Sequence, residues 1–150
     1  MLGEQYAEFK GKITSQRVLD VEGPIIETSV LANGIMKGIQ VQEMITFTGT
    51  PTAEKGVVHA YGKGVIMTTK TTAAGGGSDN SGGGAGQEMI TYTGEGIGRF
   101  ASSGSVKWCG SLFFRRSSGN KLAFLNNMVG VFETDIDADG NLFEKAWEWK

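Results

Sequence analysis

With 150 residues and a net charge of −2, the chain is the size of one domain that buries a core without disulfide or metal staples. Its 14 lysines and arginines are scattered apart from Arg115-Arg116, so no basic stripe is offered to a nucleic-acid backbone. No basic segment followed by an apolar run opens the chain and no stretch approaches the ~20 apolar residues of a membrane span; with the lone Cys109 unable to form an internal disulfide, a soluble cytoplasmic protein is expected.

Runs of β-branched and aromatic residues are cut repeatedly by Gly, Asn, Asp or Ser, and helical periodicity and caps are absent. The reading is all-β, with strands at Tyr6 to Thr14, Arg17 to Val30 (broken by Gly23-Pro24), Ile35 to Thr48, Val57 to Thr71, Gln87 to Phe100, Ser105 to Arg116, Leu122 to Asp135 and Asn141 to Trp149. Ala32-Asn33-Gly34, Ser117 to Asn120 and Asp137 to Gly140 look like hairpin connections, which favours sequential antiparallel pairing. The 24 glycines, many inside strands (Gly38, Gly62, Gly64, Gly94, Gly96, Gly98, Gly110, Gly130), permit the bends and bulges of a closed sheet. The last strand carries Phe143, Trp147 and Trp149 on one face and Leu142, Glu144, Ala146, Glu148 and Lys150 on the other; pairing it with the first strand would remove both edges. A single up-and-down eight-stranded barrel, with a flexible glycine-rich loop at about 73–86, is the predicted fold.

Three local patterns are read structurally. The glycine-rich loop lacks a Walker lysine and a following helix, and Gly94-Glu95-Gly96-Ile97-Gly98 likewise precedes no helix, so neither is a phosphate or dinucleotide motif. The run from Asp135 to Gly140 imitates the start of a calcium loop, but position twelve is Ala146, which leaves it without the bidentate ligand. One histidine, His59, excludes a multi-histidine zinc site. A Cys109/His59 nucleophilic pair satisfies composition, yet a cysteine between Trp108 and Gly110 in an apolar strand reads as an inert small hydrophobe.

The candidate site comes from a repeat. Residues 42–49 read QEMITFTG and residues 87–94 read QEMITYTG, so two similar strands each put a glutamate, Glu43 or Glu88, on the face that holds Ile45 and Phe47 or Ile90 and Tyr92. If those faces line the barrel, burial and mutual repulsion raise the carboxyl pKa values toward a range useful for proton transfer. His59 and Tyr61 share a face of the neighbouring strand, and Asn126 and Asn127 interrupt an apolar one. The candidates are therefore Glu43, Glu88, His59 and Tyr61 as catalytic groups, with Phe47, Tyr92, Asn126 and Trp108 as ligand contacts and no metal. The opposite reading pairs the glutamates with Lys37, Lys63, Arg99 or Lys107 outside, with Met44, Thr46, Met89 and Thr91 facing in. Arg115-Arg116 is open to three roles: subunit contact, anion clamp or solvated charge.

The glycine-rich strand 93–99, the strand Lys121 to Asn127 and the aromatic closing strand resemble the eight-stranded barrels of the allene oxide cyclase-like group, which includes dirigent-type proteins. The resemblance covers most of the chain as architecture and matches no catalytic motif. It implies an apolar lumen open at one end, a dimer or trimer, and, where there is activity, cofactor-free cyclisation of a hydrophobic substrate. The leading expectation is thus a barrel that binds a small hydrophobic molecule, as cyclase or isomerase. The alternatives are a non-catalytic interaction barrel filled by its own side chains and a carrier of a lipid-like ligand.

Overall fold

In the computed structural model, which describes residues 1–69 and 87–150, eight strands close into one antiparallel barrel. They are β1 (Leu2–Asp20), β2 (Ile25–Met36), β3 (Ile39–Pro51), β4 (Val57–Thr68), β5 (Met89–Phe100), β6 (Val106–Phe114), β7 (Val129–Ile136) and β8 (Asn141–Trp149), each paired with its sequence neighbours. β8 pairs back onto β1, with Glu144 opposite Phe9 and Leu142 opposite Gly11, so the barrel has no free edge. The all-β class, the strand number and the up-and-down topology agree with the sequence. The glycine-rich loop at 73–86 lies outside the described residues.

Strand boundaries differ in three places. β1 runs unbroken through residues 15–16, bending at a bulge between Ile13 and Ser15, and the first turn falls at residues 21–24, where Gly23 adopts φ +79°. Ala32-Asn33-Gly34 is not a turn but the middle of β2. Its glycine serves close packing instead, because a Cβ on Gly34 would lie 2.5 Å from Cδ1 of Phe9. The hairpin is Lys37-Gly38, both with positive φ (44° and 79°), the conformation of a tight primed turn. Finally, the expected strand from Leu122 starts only at Val129; before it, Ala123–Leu125 form a single 3-10 turn.

That turn closes one end of the barrel. Leu122 and Leu125 are fully buried, and the Phe124 ring stands 6.5 Å from that of Tyr6, edge to face. β1 starts at this plugged end, and inside it Met36, Val41, Ile66 and Ile90 make a continuous apolar core. At the other end, along β4, β5 and β6, glycines replace core side chains: Gly62 pairs with Gly94, and Gly96 pairs with both Ala60 and Gly110. Rings from adjacent strands use the room so made. A Cβ on Gly98 would lie 2.8 Å from the Trp108 indole, and one on Gly110 2.8 Å from Cε1 of Phe132.

Candidate functional site

Inward parity on β3 is Val41, Glu43, Ile45 and Phe47, so Glu43 enters the lumen between Ala32 of β2 and Ile66 of β4. It is 1% exposed. The Tyr92 hydroxyl donates to its Oε1, while Oε2 has no hydrogen-bond partner among the described residues. Tyr92 reaches it because its register partner is Gly64, where any Cβ would overlap the phenol ring. Burial pushes the Glu43 carboxyl well above the ordinary carboxylate range, the nearby Glu144 pushes it further, and the Tyr92 hydrogen bond only partly offsets both.

Glu144 is the second buried acid. On β8 it lies between Thr134 of β7 and Phe9 of β1, and Thr134 Oγ1 donates to its Oε2 at 2.6 Å. Burial pushes its pKa up to about 7, against a smaller lowering by the Thr134 bond. Two phenols complete the cluster: Tyr6 and Tyr92 are both raised, first by burial and then by the two carboxyls, and the Tyr6 hydroxyl has no partner among the described residues. Burial thus favours the neutral form of all four groups, and Glu144, raised to about 7, is poised to exchange a proton near neutral pH.

A cavity of about 70 Å³ opens from this cluster toward the unplugged end, lined by Phe47, Ala60, Tyr92, Trp108, Phe132 and Glu144 over the glycine stripe. The Phe47 and Trp108 rings meet at 5.4 Å and 66°. Trp108 Nε1–H also has no partner among the described residues.

The sequence candidates separate accordingly. Glu43, Phe47, Tyr92 and Trp108 meet in the lumen; the outward reading of Glu43 is overturned, since Met44 takes the outer face. Glu88 does not join Glu43. Along the ladders Glu43 pairs with Ile66 and Ile66 with Ile90, so the repeated motif sits two residues nearer the plug in β5 than in β3. Glu88 there receives the backbone N–H groups of Lys121 and Leu122, both at 2.9 Å, and these bonds hold its pKa below the usual value; it anchors the plug. His59 and Tyr61 are corrected to the outer wall, because the inward positions of β4 are Ala60, Gly62, Gly64 and Ile66. His59 lies 3.6 Å from Glu95 outside the barrel. Asn126 belongs to the plug, its Oδ1 accepting the Ser117 N–H at 2.8 Å.

Cys109 is exposed rather than buried, and on a different strand face from the lumen. The calcium-like run is a turn in which Asp137 Oδ1 accepts the N–H groups of Asp139 and Asn141 at 2.9 Å. Arg115 and Arg116 are exposed. Glu144, Thr134 and Tyr6 are functional candidates that sequence reasoning missed. The available signal for Glu144 was its company, Leu142 and Ala146, on one face of β8.

No family model and no curated protein matches the chain. Among solved structures, the fold is similar to a conserved protein of unknown function from Rhodopseudomonas palustris, with TM-score 0.69 at 10% identity over 99% of each chain. It is likewise similar to a protein of unknown function from Clostridium acetobutylicum, with TM-score 0.69 at 9% identity over 97% of this chain and 98% of that one. What these likenesses establish is the fold: the chain is an eight-stranded antiparallel barrel of the kind those two proteins share.

Proposed function

We propose that the barrel binds one small, largely apolar molecule in the unplugged half of its lumen, with the ligand's polar group against Glu144. The observation that carries this reading is the joining of an aromatic-walled cavity to an enclosed carboxyl with a pKa raised to about 7. A barrel filled for structure alone gains nothing from an ionisable group there, since burying one costs stability that an apolar residue would not. Perturbed acids beside open volume are the usual mark of a working site.

The cavity bounds the ligand. At about 70 Å³ it is about half of the ~150 Å³ that holds benzene in an engineered core, so it takes a group of a few heavy atoms while the rest of the molecule extends toward the mouth. The architectural resemblance to the allene oxide cyclase-like barrels supports the reading at the level of fold only. As an enzyme, such a site serves proton transfer within a single confined substrate, an isomerisation or cyclisation in which Glu144 exchanges the proton. As a carrier, it serves binding alone.

The test is native mass spectrometry of the protein purified from its own host, beside an Ala60→Leu variant that fills the cavity wall. An extra mass on the wild type that vanishes on denaturation and is missing from the variant is the expected result. Bare wild-type protein, or equal loading of the variant, overturns the reading.

A further inference from the structure

The lumen has a sign. Its fully buried ionisable side chains among the described residues are Glu43 and Glu144 with the phenols of Tyr6 and Tyr92, whereas every described lysine, arginine and histidine is exposed or, as with Lys145, half-buried on the outer parity of its strand. Buried carboxyls are ordinarily paired with a cation or fully hydrogen-bonded. Here Thr134 engages one oxygen of Glu144, and Oε2 of Glu43, the hydroxyl of Tyr6 and the Nε1–H of Trp108 are buried without a partner among the described residues. Among the described residues no positive charge lies in this interior.

Resting on the ligand-binding reading above, we propose that the lumen selects a small lipophilic amine in its ammonium form, seated against Glu144 with its carbon skeleton between Phe47, Trp108 and Phe132. Three physical consequences favour this class. An ammonium donates up to three hydrogen bonds and supplies the positive charge that the buried Glu144 carboxyl, bonded by Thr134 through one oxygen, has no partner for among the described residues. The aromatic wall of the cavity, to which Phe47, Trp108 and Phe132 contribute, attracts a cation as well as an alkyl chain. A carboxylate or phosphate ligand meets the ionised Glu144 with no counter-cation among the described residues and is repelled, while an alcohol of equal size gains one neutral hydrogen bond but no charge pairing.

Affinity then depends on pH. Glu144 faces Thr134 from β7, Tyr6 from β1, Glu43 from β3 and Tyr92 from β5; its pKa of about 7 puts its change of charge near neutrality, and an alkylammonium stays protonated well above that range. Ammonium binding strengthens between pH 6 and pH 8 as Glu144 gives up its proton, and alcohol binding does not.

The probes are butylamine, 1-butanol and butyrate, matched in size and differing in charge, titrated into the full chain by calorimetry and by the indole N–H resonance of Trp108, assigned with Trp108→Phe. At pH 8 butylamine is expected to bind about tenfold or more tighter than 1-butanol, equivalent to about 1.4 kcal/mol, and butyrate not at all. Glu144→Gln should bring amine and alcohol together, and the wild-type pH series provides the same discrimination without relying on a variant's folding. Amine and alcohol binding equally, or butyrate binding best, overturns the charge selectivity while leaving lumen binding intact. If none of the three moves the Trp108 resonance, both the selectivity and the ligand-binding reading fall.

Discussion

Glu144→Gln is the substitution that most directly examines the buried acid. The carboxyl is 6% exposed and its pKa rises from 4.5 to about 7 on folding. The folded state therefore holds this proton more tightly than the unfolded chain does. Its contribution to stability is fully present below about pH 4.5, falls as pH rises, and is lost once pH passes about 7. At 1.36 kcal/mol per pKa unit the loss is about 3 kcal/mol. Glutamine keeps the shape, still accepts the Thr134 hydroxyl and has no charge to bury at either extreme.

The assay is urea unfolding of wild type and variant at pH 5 and pH 8, analysed as a two-state transition. The fall in stability from pH 5 to pH 8 should be smaller in the variant by about 2 to 3 kcal/mol, most of the linkage range falling between those pH values. Exposed acids such as Asp137, whose pKa its turn hydrogen bonds lower, titrate alike in both proteins and cancel in this difference. Glu43 does not cancel, but it moves the same way: removing the Glu144 charge relieves part of its own upward shift. Parallel pH profiles for the two proteins would refute the claim that Glu144 is a desolvated acid.

Further substitutions probe the parts that hold the cluster in place. Tyr92→Phe keeps the ring packed but leaves Glu43 with neither oxygen bonded, an expected loss of about 1–3 kcal/mol in the same unfolding assay. Gly64→Ala drives a methyl into the Tyr92 phenol; a cost of about 1–3 kcal/mol and an altered tyrosine band in near-ultraviolet circular dichroism are expected, and an unchanged spectrum would mean that the ring is not confined there. Leu125→Ala opens the plug and should cost about 2–5 kcal/mol, as for other fully buried leucines. Glu88→Ala should speed hydrogen exchange at the Lys121 and Leu122 amides while leaving the amides of β3 and β5 protected; uniform protection would show that Glu88 does not anchor the plug.

How much of this was legible beforehand depends on what a strand reveals about itself. Period-two alternation gives which residues share a face, so the grouping of Glu43 with Ile45 and Phe47, and of Glu144 with Leu142 and Ala146, was available from sequence. It gives neither which face turns inward nor how far one strand slides along another. The repeated octapeptide is the case in point: two nearly identical segments turn the same face inward, yet Glu43 enters the lumen and Glu88 meets the plug because inter-strand register, set by pairing through β4, offsets them by two residues. The plug was equally hidden, for Leu122 to Leu125 are apolar enough for a strand, yet Ala123–Leu125 form a 3-10 turn that buries Leu122 and Leu125 at the barrel end.

The inward face did leave a mark, and it was the parity of the glycines. In a narrow barrel the concave side has less volume per residue than the convex side, so small residues belong inside except where a large ring fills the space that a neighbouring glycine vacates. Gly62 and Gly64 alternate with Tyr61 and Lys63, and that pattern alone puts Ala60 inside and His59 and Tyr61 outside. On β8 the bulky Phe143 and Trp147 take the convex face and Ala146 the concave one. Glu144, sharing the parity of Ala146, is thereby carried into the lumen. A charge borne inward by the packing of its neighbours is the feature that distinguishes this interior from a simple apolar core.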